Sequence, residues 1–158
     1  MPGGSDVILR PATEADQALL LGWRNDPDVV RFSLTGRTVG ASQHANWLAA
    51  RLSRPRRRLW IAEELGEPVG QTRVDLEGAA GTVSIAVAPS HRGRGVGTGI
   101  LRVLVSEMEA DDEVRTLVAM VHPDNTASLR AFERAGFTAR DGRRDGFVVF
   151  ERSVEANR

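Results

Sequence analysis

No cysteine, tyrosine or lysine occurs among the 158 residues. Without cysteine there is no disulfide framework, no thiolate nucleophile and no cysteine metal site; no metal is expected. Without lysine there is no P-loop, which needs a lysine after its last glycine; all 21 basic residues are arginine. No sign of charge is in excess: 21 arginines face 21 acidic residues, for a formal net charge of +0. No global field therefore favours nucleic acid or acidic lipid. Apolar runs of membrane-spanning length are absent. The stretch Met1-Pro2-Gly3-Gly4-Ser5-Asp6 lacks the basic and apolar regions of a signal peptide, which points to the cytoplasm. There is no internal repeat and no low-complexity segment.

What remains is ordinary globular material, 41% hydrophobic and 27% charged, of a length that suits one domain over 1–158. It is organised around Thr82 to Gly99. Val83, Ile85 and Val87 alternate with small residues, the period of a strand. Pro89 ends the ladder, having no N–H to donate. Gly93, Gly95, Gly97 and Gly99 follow, and Ile100, Leu101, Leu104 and Met108 then recur at helical spacing. A glycine loop that opens a helix gathers backbone N–H groups at a positive helix end, which makes an anion site and most naturally a phosphate site. The dinucleotide fingerprint G-x-G-x-x-G fits in no register, because its third glycine slot holds Thr98, Ile100 or Arg102.

The rest of the chain reads in order. Val7–Arg10 is a short strand. Thr13 and Asp16 form a capping box ahead of an amphipathic helix bearing Ala15, Leu19 and Trp23, which stops near Asn25-Asp26-Pro27. A short helical piece over Asp28–Phe32 and a polar loop over Ser33–Gly40 follow. Ser42 is expected to cap a helix to Leu52, on which His44, Trp47, Leu48 and Arg51 share a side. Arg54–Arg58 is either a solvated connection or a phosphate contact. Leu59–Leu65, Val69–Glu77 and Thr82–Ala88 form an antiparallel meander across glycine turns. After the helix to Glu109, Val114–Val121 is a strand placed as a parallel neighbour of Thr82–Ala88. A helix over Thr126–Ala135 ends at Gly136, and Phe147–Arg152 is a last strand after a turn at Asp141–Arg144. There is room for one more short strand near Phe137–Arg140. The last few residues read as frayed.

Two stretches carry a resemblance. Val87-Ala88-Pro89-Ser90-His91-Arg92-Gly93-Arg94-Gly95-Val96-Gly97 resembles the strand and pyrophosphate loop of the GNAT superfamily of N-acetyltransferases. Asn125-Thr126-Ala127-Ser128 through Phe132 to Gly136-Phe137 resembles that family's N-x-x-A/S…Y/F-x-x-x-G-F helix. The order of elements matches from about Val7 to Val154. The resemblance implies an α/β chain with the GNAT fold: a single mixed sheet, an antiparallel N-terminal meander and helices on both faces. A third stretch, Trp23 to Arg31 followed by His44-x-x-Trp47-Leu48, resembles the pseudaminic-acid-pathway acetyltransferases, which acetylate the 4-amino group of a UDP-linked amino sugar. Relatives with ribosomal-protein or antibiotic substrates share parts of it.

The implied activity is direct transfer of acetyl from acetyl-CoA to a primary amine of a small molecule, best an amino sugar nucleotide. Attack, deprotonation of the ammonium and oxyanion stabilisation are the tasks. By the resemblance, Arg92, Gly93, Arg94, Gly95, Val96, Gly97 and Thr98 hold the pyrophosphate. Ile85, Ala86 and Val87 pair with the pantetheine arm, and Asn125, Ser128 and Phe132 line the cofactor from the other side. Many members have tyrosine as general acid where this chain has Phe132. A CoA thiol of cysteine-like acidity, about 8.5, leaves without an acid, and Ser128 is a fallback donor. His122 and His44 are the candidate bases; the glutamate slot used by some peptide-acetylating members holds Met120. His91 is a loop contact. Among Glu63, Asp75 and Glu77 the sequence does not choose which points inward. Arg24 and Arg31 suit a diphosphate, and Trp23 and Trp47 are core residues or walls of an acceptor pocket. The competing readings are a peptide or protein N-terminal acetyltransferase and a non-catalytic acyl-CoA-binding domain; a nucleic-acid module resting on Arg54–Arg58 lacks interleaved aromatics. The protein is expected to be a monomer or homodimer, with no membrane partner.

Overall fold

The computed structural model describes residues 6–154; Met1–Ser5, read as lacking signal-peptide features, and residues 155–158, read as frayed, lie outside the described residues. The chain runs β1 (Ile8–Pro11), a 3-10 turn (Glu14–Asp16), α1 (Gln17–Arg24), α2 (Pro27–Phe32), α3 (Ala41–Leu52), β2 (Arg57–Glu64), β3 (Glu67–Glu77) and β4 (Ala80–Val87). A 3-10 turn (Pro89–His91) then leads to α4 (Val96–Glu109), β5 (Thr116–Val121), α5 (Thr126–Arg134), β6 (Thr138–Arg144) and β7 (Phe147–Ser153). The strands form one seven-stranded sheet in the order β1-β2-β3-β4-β5-β7-β6. Among the described residues only β4 and β5 are parallel neighbours.

Local chemistry sets the ends of the elements. Thr13 and Asp16 make the capping box: Asp16 Oδ2 accepts from Thr13 N at 2.8 Å, and Thr13 Oγ1 accepts from an amide of the first turn, Ala15 N, at 3.2 Å. Arg10 grips Asp16 with both terminal nitrogens, at 2.8 and 2.9 Å, and so staples β1 to that turn. Asp26 caps α2, with Pro27 in the first turn. Ser42 does not cap α3. The carbonyl of Gly40 already accepts from His44 N, so the helix starts at Ala41 and Ser42 falls inside its first turn. The turn expected at Asp141–Arg144 is also displaced. Of two Asp-Gly pairs, Asp145-Gly146 has positive φ at both residues and closes the β6–β7 hairpin, as a type I′ turn requires. Asp141-Gly142 lies in an irregular stretch of β6, where the register shifts between Ala139 and Arg143.

Helices cover both faces. On one, Leu20 of α1 and Leu48 of α3 pack on Leu59 and Ile61 of β2. On the other, Ile100 of α4 packs on Ala62 and Val69. Leu101, Leu104 and Met108 lie with Val74, Val83, Leu117 and the α5 residues Ala131 and Phe132. Truncating any of these buried leucines to alanine costs about 2–5 kcal/mol. Gly70 marks the tightest crossing: a Cβ there would lie 2.5 Å from Ala86 O and 3.0 Å from Ile100 Cδ1.

The parallel crossover carries the functional consequence. β4 and β5 pair only through Ala80–Thr82 against Thr116–Val118, although β4 continues to Val87 and β5 to Val121. Beyond Thr82 the two strands splay, and the sheet opens.

Candidate active site

The splay exposes β4 backbone in a defined pattern. Ala88 N donates to Val69 O at 2.8 Å, and Ala79 O accepts from Arg115 and Thr116 on β5. Since bonding direction alternates along a strand, Ser84 and Ala86 turn their amides to β3. Ile85 and Val87 turn theirs to the side where β5 has left. Two unclaimed N–H groups thus face the opening.

The glycine loop lies at the same end. Gly93 and Gly95 both have φ of +78°, the left-handed region that favours glycine, and Gly95 is the N-cap of α4. The first intrahelical bond is Gly99 N to Gly95 O, so the amides of Val96, Gly97 and Thr98 precede the ladder. The Arg92 guanidinium is tied down: it donates to Asp26 at 2.8 Å, Asp28 at 3.0 Å and Val87 O at 3.2 Å. Burial opposes the charge of Asp26, but the bonds from Arg92 and from the amides of Val29 and Asp28 outweigh it and hold its carboxyl below the usual range.

A cavity of about 850 Å³ passes through the opening. Paired residues share a face, so Gln71 with Ala86, and Arg73 with Ser84, look toward α1 and α3. Gly95–Thr98, Ala131 and Phe132 line the same cavity from the α4–α5 face. Of the residues singled out from the sequence, Ile85, Ala86, Val87, Arg92, Gly93, Gly95, Val96, Gly97, Thr98, Asn125, Ser128 and Phe132 line it. So do Trp23, Arg24, His44, Trp47 and His122. Two do not. Arg94 is exposed in the loop. Arg31 is exposed on α2 with its guanidinium 4.9 Å over the Phe32 ring, because the helix turns it away from the face that carries Val29 and Phe32 into the cavity.

The two histidines are held in opposite tautomers. Gln17 Nε2 donates to Ala41 O, so its Oε1 faces His44 Nδ1 at 3.1 Å. Nδ1 therefore carries the proton and Nε2 the lone pair. Burial, and then the charge of Arg24, pushes His44 below its ordinary value, so it is neutral at pH 7. His122 is the reverse: its Nδ1 accepts the Asp124 amide at 3.0 Å, which leaves the proton on Nε2. Its ring sits between Phe32 and Phe147, with centroids at 5.2 and 5.7 Å. A neutral His122 can donate from Nε2 but has no lone pair there. Asn125 Oδ1 is used to cap α5 through Ser128 N. Phe132 is buried, stacked on Phe150 and edge-on to Phe137.

Sequence reasoning missed Gln71, Arg73, Arg130 and Arg134, all of which line the cavity. Gln71 and Arg73 alternate with buried Thr72 and Val74. That period shows they share a face; only the packing of α1 and α3 makes it the cavity face. The meander carboxylates lie elsewhere. Glu63 accepts from Arg10, Asp75 pairs with Arg51, and Glu77 is exposed. Arg56, Arg57 and Arg58 bond to Gly78 O, Asp75 and Asp111, and none of the Arg54–Arg58 run lines the cavity.

Comparison with known proteins gives a consistent picture. The acetyltransferase (GNAT) domain family matches residues 6–138. The chain is 30% identical over 147 residues to an aminoglycoside N(6')-acetyltransferase type 1 of Klebsiella pneumoniae, covering 83% of this chain and 73% of that protein. A solved structure of the aminoglycoside acetyltransferase AAC(6')-Ib with coenzyme A matches with a TM-score of 0.79 at 25% identity, over 93% of this chain and 94% of that one. Spermidine N-acetyltransferase from Vibrio cholerae, with CoA and spermine, shares the fold at a TM-score of 0.84 and 13% identity, over 94% of this chain and 96% of that one.

Proposed function

The chain belongs to the GNAT family of acetyltransferases, and on that premise we propose that it moves acetyl from acetyl-CoA to the primary amine of an amino sugar nucleotide. The observation that carries the reading is one continuous cavity. It reaches from the glycine loop on the α4–α5 face, through the β4–β5 opening, to the α1–α3 face.

Acetyl-CoA is the co-substrate, and the residues present fit it. Its pyrophosphate meets the amides of Val96, Gly97 and Thr98 at the positive end of α4. Arg130 and Arg134, on the cavity edge of α5, supply cations for its phosphates. Its pantetheine arm takes the place β5 leaves, with the free amides of Ile85 and Val87 as partners. The acceptor amine then arrives from the α1–α3 face. His44 Nε2 takes its proton, directly or through water. The amine lone pair forms the C–N bond at the thioester carbon, and a β4 amide faces the oxyanion. Collapse breaks the C–S bond and expels CoA as a thiolate, and the nitrogen gives up its second proton to that thiolate or to water; with a conjugate acid near pKa 8.5 the thiolate needs no tyrosine. His122 Nε2–H and the Ser128 hydroxyl are the donors left to meet the developing charge.

The acceptor side supports an anionic sugar more than a polycation. Asp28, already bound to Arg92, is the one carboxylate lining the cavity among the described residues. Trp23 and Trp47 give flat apolar walls for a sugar or base ring. A neighbouring depression of about 680 Å³ shares Arg24, Thr35, Val39 and Gln43 and adds Arg37 and Thr38, which gives room for a long acceptor. A thiol-release assay with acetyl-CoA and a panel of amines tests the reading. Turnover with a UDP-4-amino sugar is expected. Tight CoA binding with no turnover on any amine, or preference for peptides, would contradict it.

A further inference from the structure

Arg24 and Arg73 both line the acceptor side of the cavity, while the carboxylate nearest to them on β3, Asp75, does not. Asp75 is taken by Arg51, through both terminal nitrogens, and lies 3.7 Å from Arg57. Arg73 is left with no hydrogen bond or ion pair among the described residues; its guanidinium sits 5.7 Å from the Trp47 ring centroid. Arg24 comes from the end of α1 on the opposite wall. Its Nη2 makes a long 3.4 Å bond to Thr35, and its Nη1 is buried with no partner. Both arginines line the cavity; burial opposes the charge of Arg73, Asp75 supports it from a distance, and Arg24 opposes it, as Arg24 also opposes a charge on His44. Two like charges converge on one part-buried space, with orphaned N–H groups and no free carboxylate. Such an arrangement is unfavourable until an anion enters. Gln71 adds the complementary feature: its Oε1 is buried and unpartnered, two residues along the same face of β3 and beside Ala86 of the splayed strand.

We propose that Arg24 and Arg73 form an anion subsite for a carboxylate or phosphate ester of the acceptor, and that Gln71 Oε1 receives an N–H of its amine. The protein therefore acetylates amines that carry an anion and discriminates against polycations. The assignment of Arg73 and Gln71, and the exclusion of polycations, deepen the acetyltransferase reading and rest on it. A guanidinium pair suits both anions, since each offers planar donors to two oxygens.

Thiol-release kinetics with matched acceptors test this: an amino sugar, the same sugar with a phosphate, one with a carboxylate, and an aminoglycoside. The wild-type protein is expected to prefer the anion-bearing sugars in kcat/KM, and the two anionic arms show which anion is used. Arg24→Gln and Arg73→Gln each lower kcat/KM for those sugars by about 10- to 100-fold, the weight of a hydrogen bond to a charged group. Both variants lower kcat/KM for the sugar without the anion by clearly less than for the anionic ones. An aminoglycoside preference, or equal losses on charged and uncharged sugars, overturns the proposal. If Arg73→Gln does not fold, Arg73→Lys and the wild-type charge preference decide. If no amine is acetylated, the acetyltransferase reading of the acceptor fails, and a separate arm still decides the subsite. With CoA saturating the glycine loop, inorganic phosphate raises the melting temperature of the wild type and not of either variant. No rise, or the same rise in the variants, removes the subsite.

Discussion

Arg92 donates to Asp26 across 2.8 Å, and this bond, with a longer one of 3.0 Å to Asp28, joins the two halves of the site. Arg92 belongs to the glycine loop that follows β4; Asp26 caps α2 through the amides of Asp28 and Val29. The Arg92 side chain is thus spent on fixing the loop against the acceptor-side helix. Its backbone remains for the phosphate.

Asp26→Ala removes both the cap and the bridge. Loss of the cap alone is worth about 1 kcal/mol. The variant is expected to melt earlier and to raise KM for acetyl-CoA, because the loop loses its anchor. Asp28→Ala, which leaves the cap and the shorter bond in place, moves both quantities less. Denaturant titration and steady-state kinetics on the pair check this; an unchanged KM in Asp26→Ala breaks the proposed link between loop and helix.

Gly95 holds a φ of +78° with open space where a Cβ would go. Gly95→Ala therefore costs only the left-handed strain, about 1–2 kcal/mol. Gly95→Glu adds an anion at the helix end and is expected to abolish CoA binding while leaving a folded protein. Calorimetric titration that finds CoA affinity retained in Gly95→Glu refutes the site.

His44 is lowered by burial and by Arg24, and its Nε2 is the free lone pair. The acid limb of kcat is expected below pH 6.5, and His44→Ala should lower kcat about 10²-fold and remove that limb. His122→Ala should lower kcat, since its Nε2–H is a donor toward the developing charge. The stability sign follows from the same shift. The unfolded chain binds a proton more readily than the folded one, so the His44 contribution is lost as pH falls past the unfolded value near 6.5 and levels off below the folded one. A limb retained in His44→Ala assigns the base elsewhere.

Asp75→Asn leaves Arg51 buried, at 6% exposure, without its counter-charge. Burial already pushes the Arg51 guanidinium down to about 10, against the pull of Asp75. A loss of about 3 kcal/mol is expected, at the low end for breaking a buried pair because Asp75 is itself 32% exposed. Thermal denaturation measures it. A change within about 0.5 kcal/mol, the range of ordinary surface substitutions, would show that the pair does no structural work.

Much of this was legible in the residues. The meander, the parallel crossover and the glycine loop follow from period-2 runs, glycine turns and the Gly93–Gly99 series, because those signals are local. The acceptor face was legible only in part. Trp23, Arg24, His44 and Trp47 stand in the stretches that carry the third resemblance, but Arg31 stands there too and turns outward. Gln71 and Arg73 sit in an ordinary alternating strand, and only the tertiary packing of α1 and α3 makes their face the cavity. The second Asp-Gly pair closes the last hairpin, since two identical turn signals four residues apart are separated only by register.

The most direct test of the central claim is amide hydrogen exchange along β4 with and without acetyl-CoA. The ligand is expected to slow exchange at Ile85 and Val87, whose amides face the opening, and to leave Ser84 and Ala86, already bonded to β3, as they were. Protection at Ser84 and Ala86 instead, or none at any of the four while acetyl-CoA is bound, would contradict it.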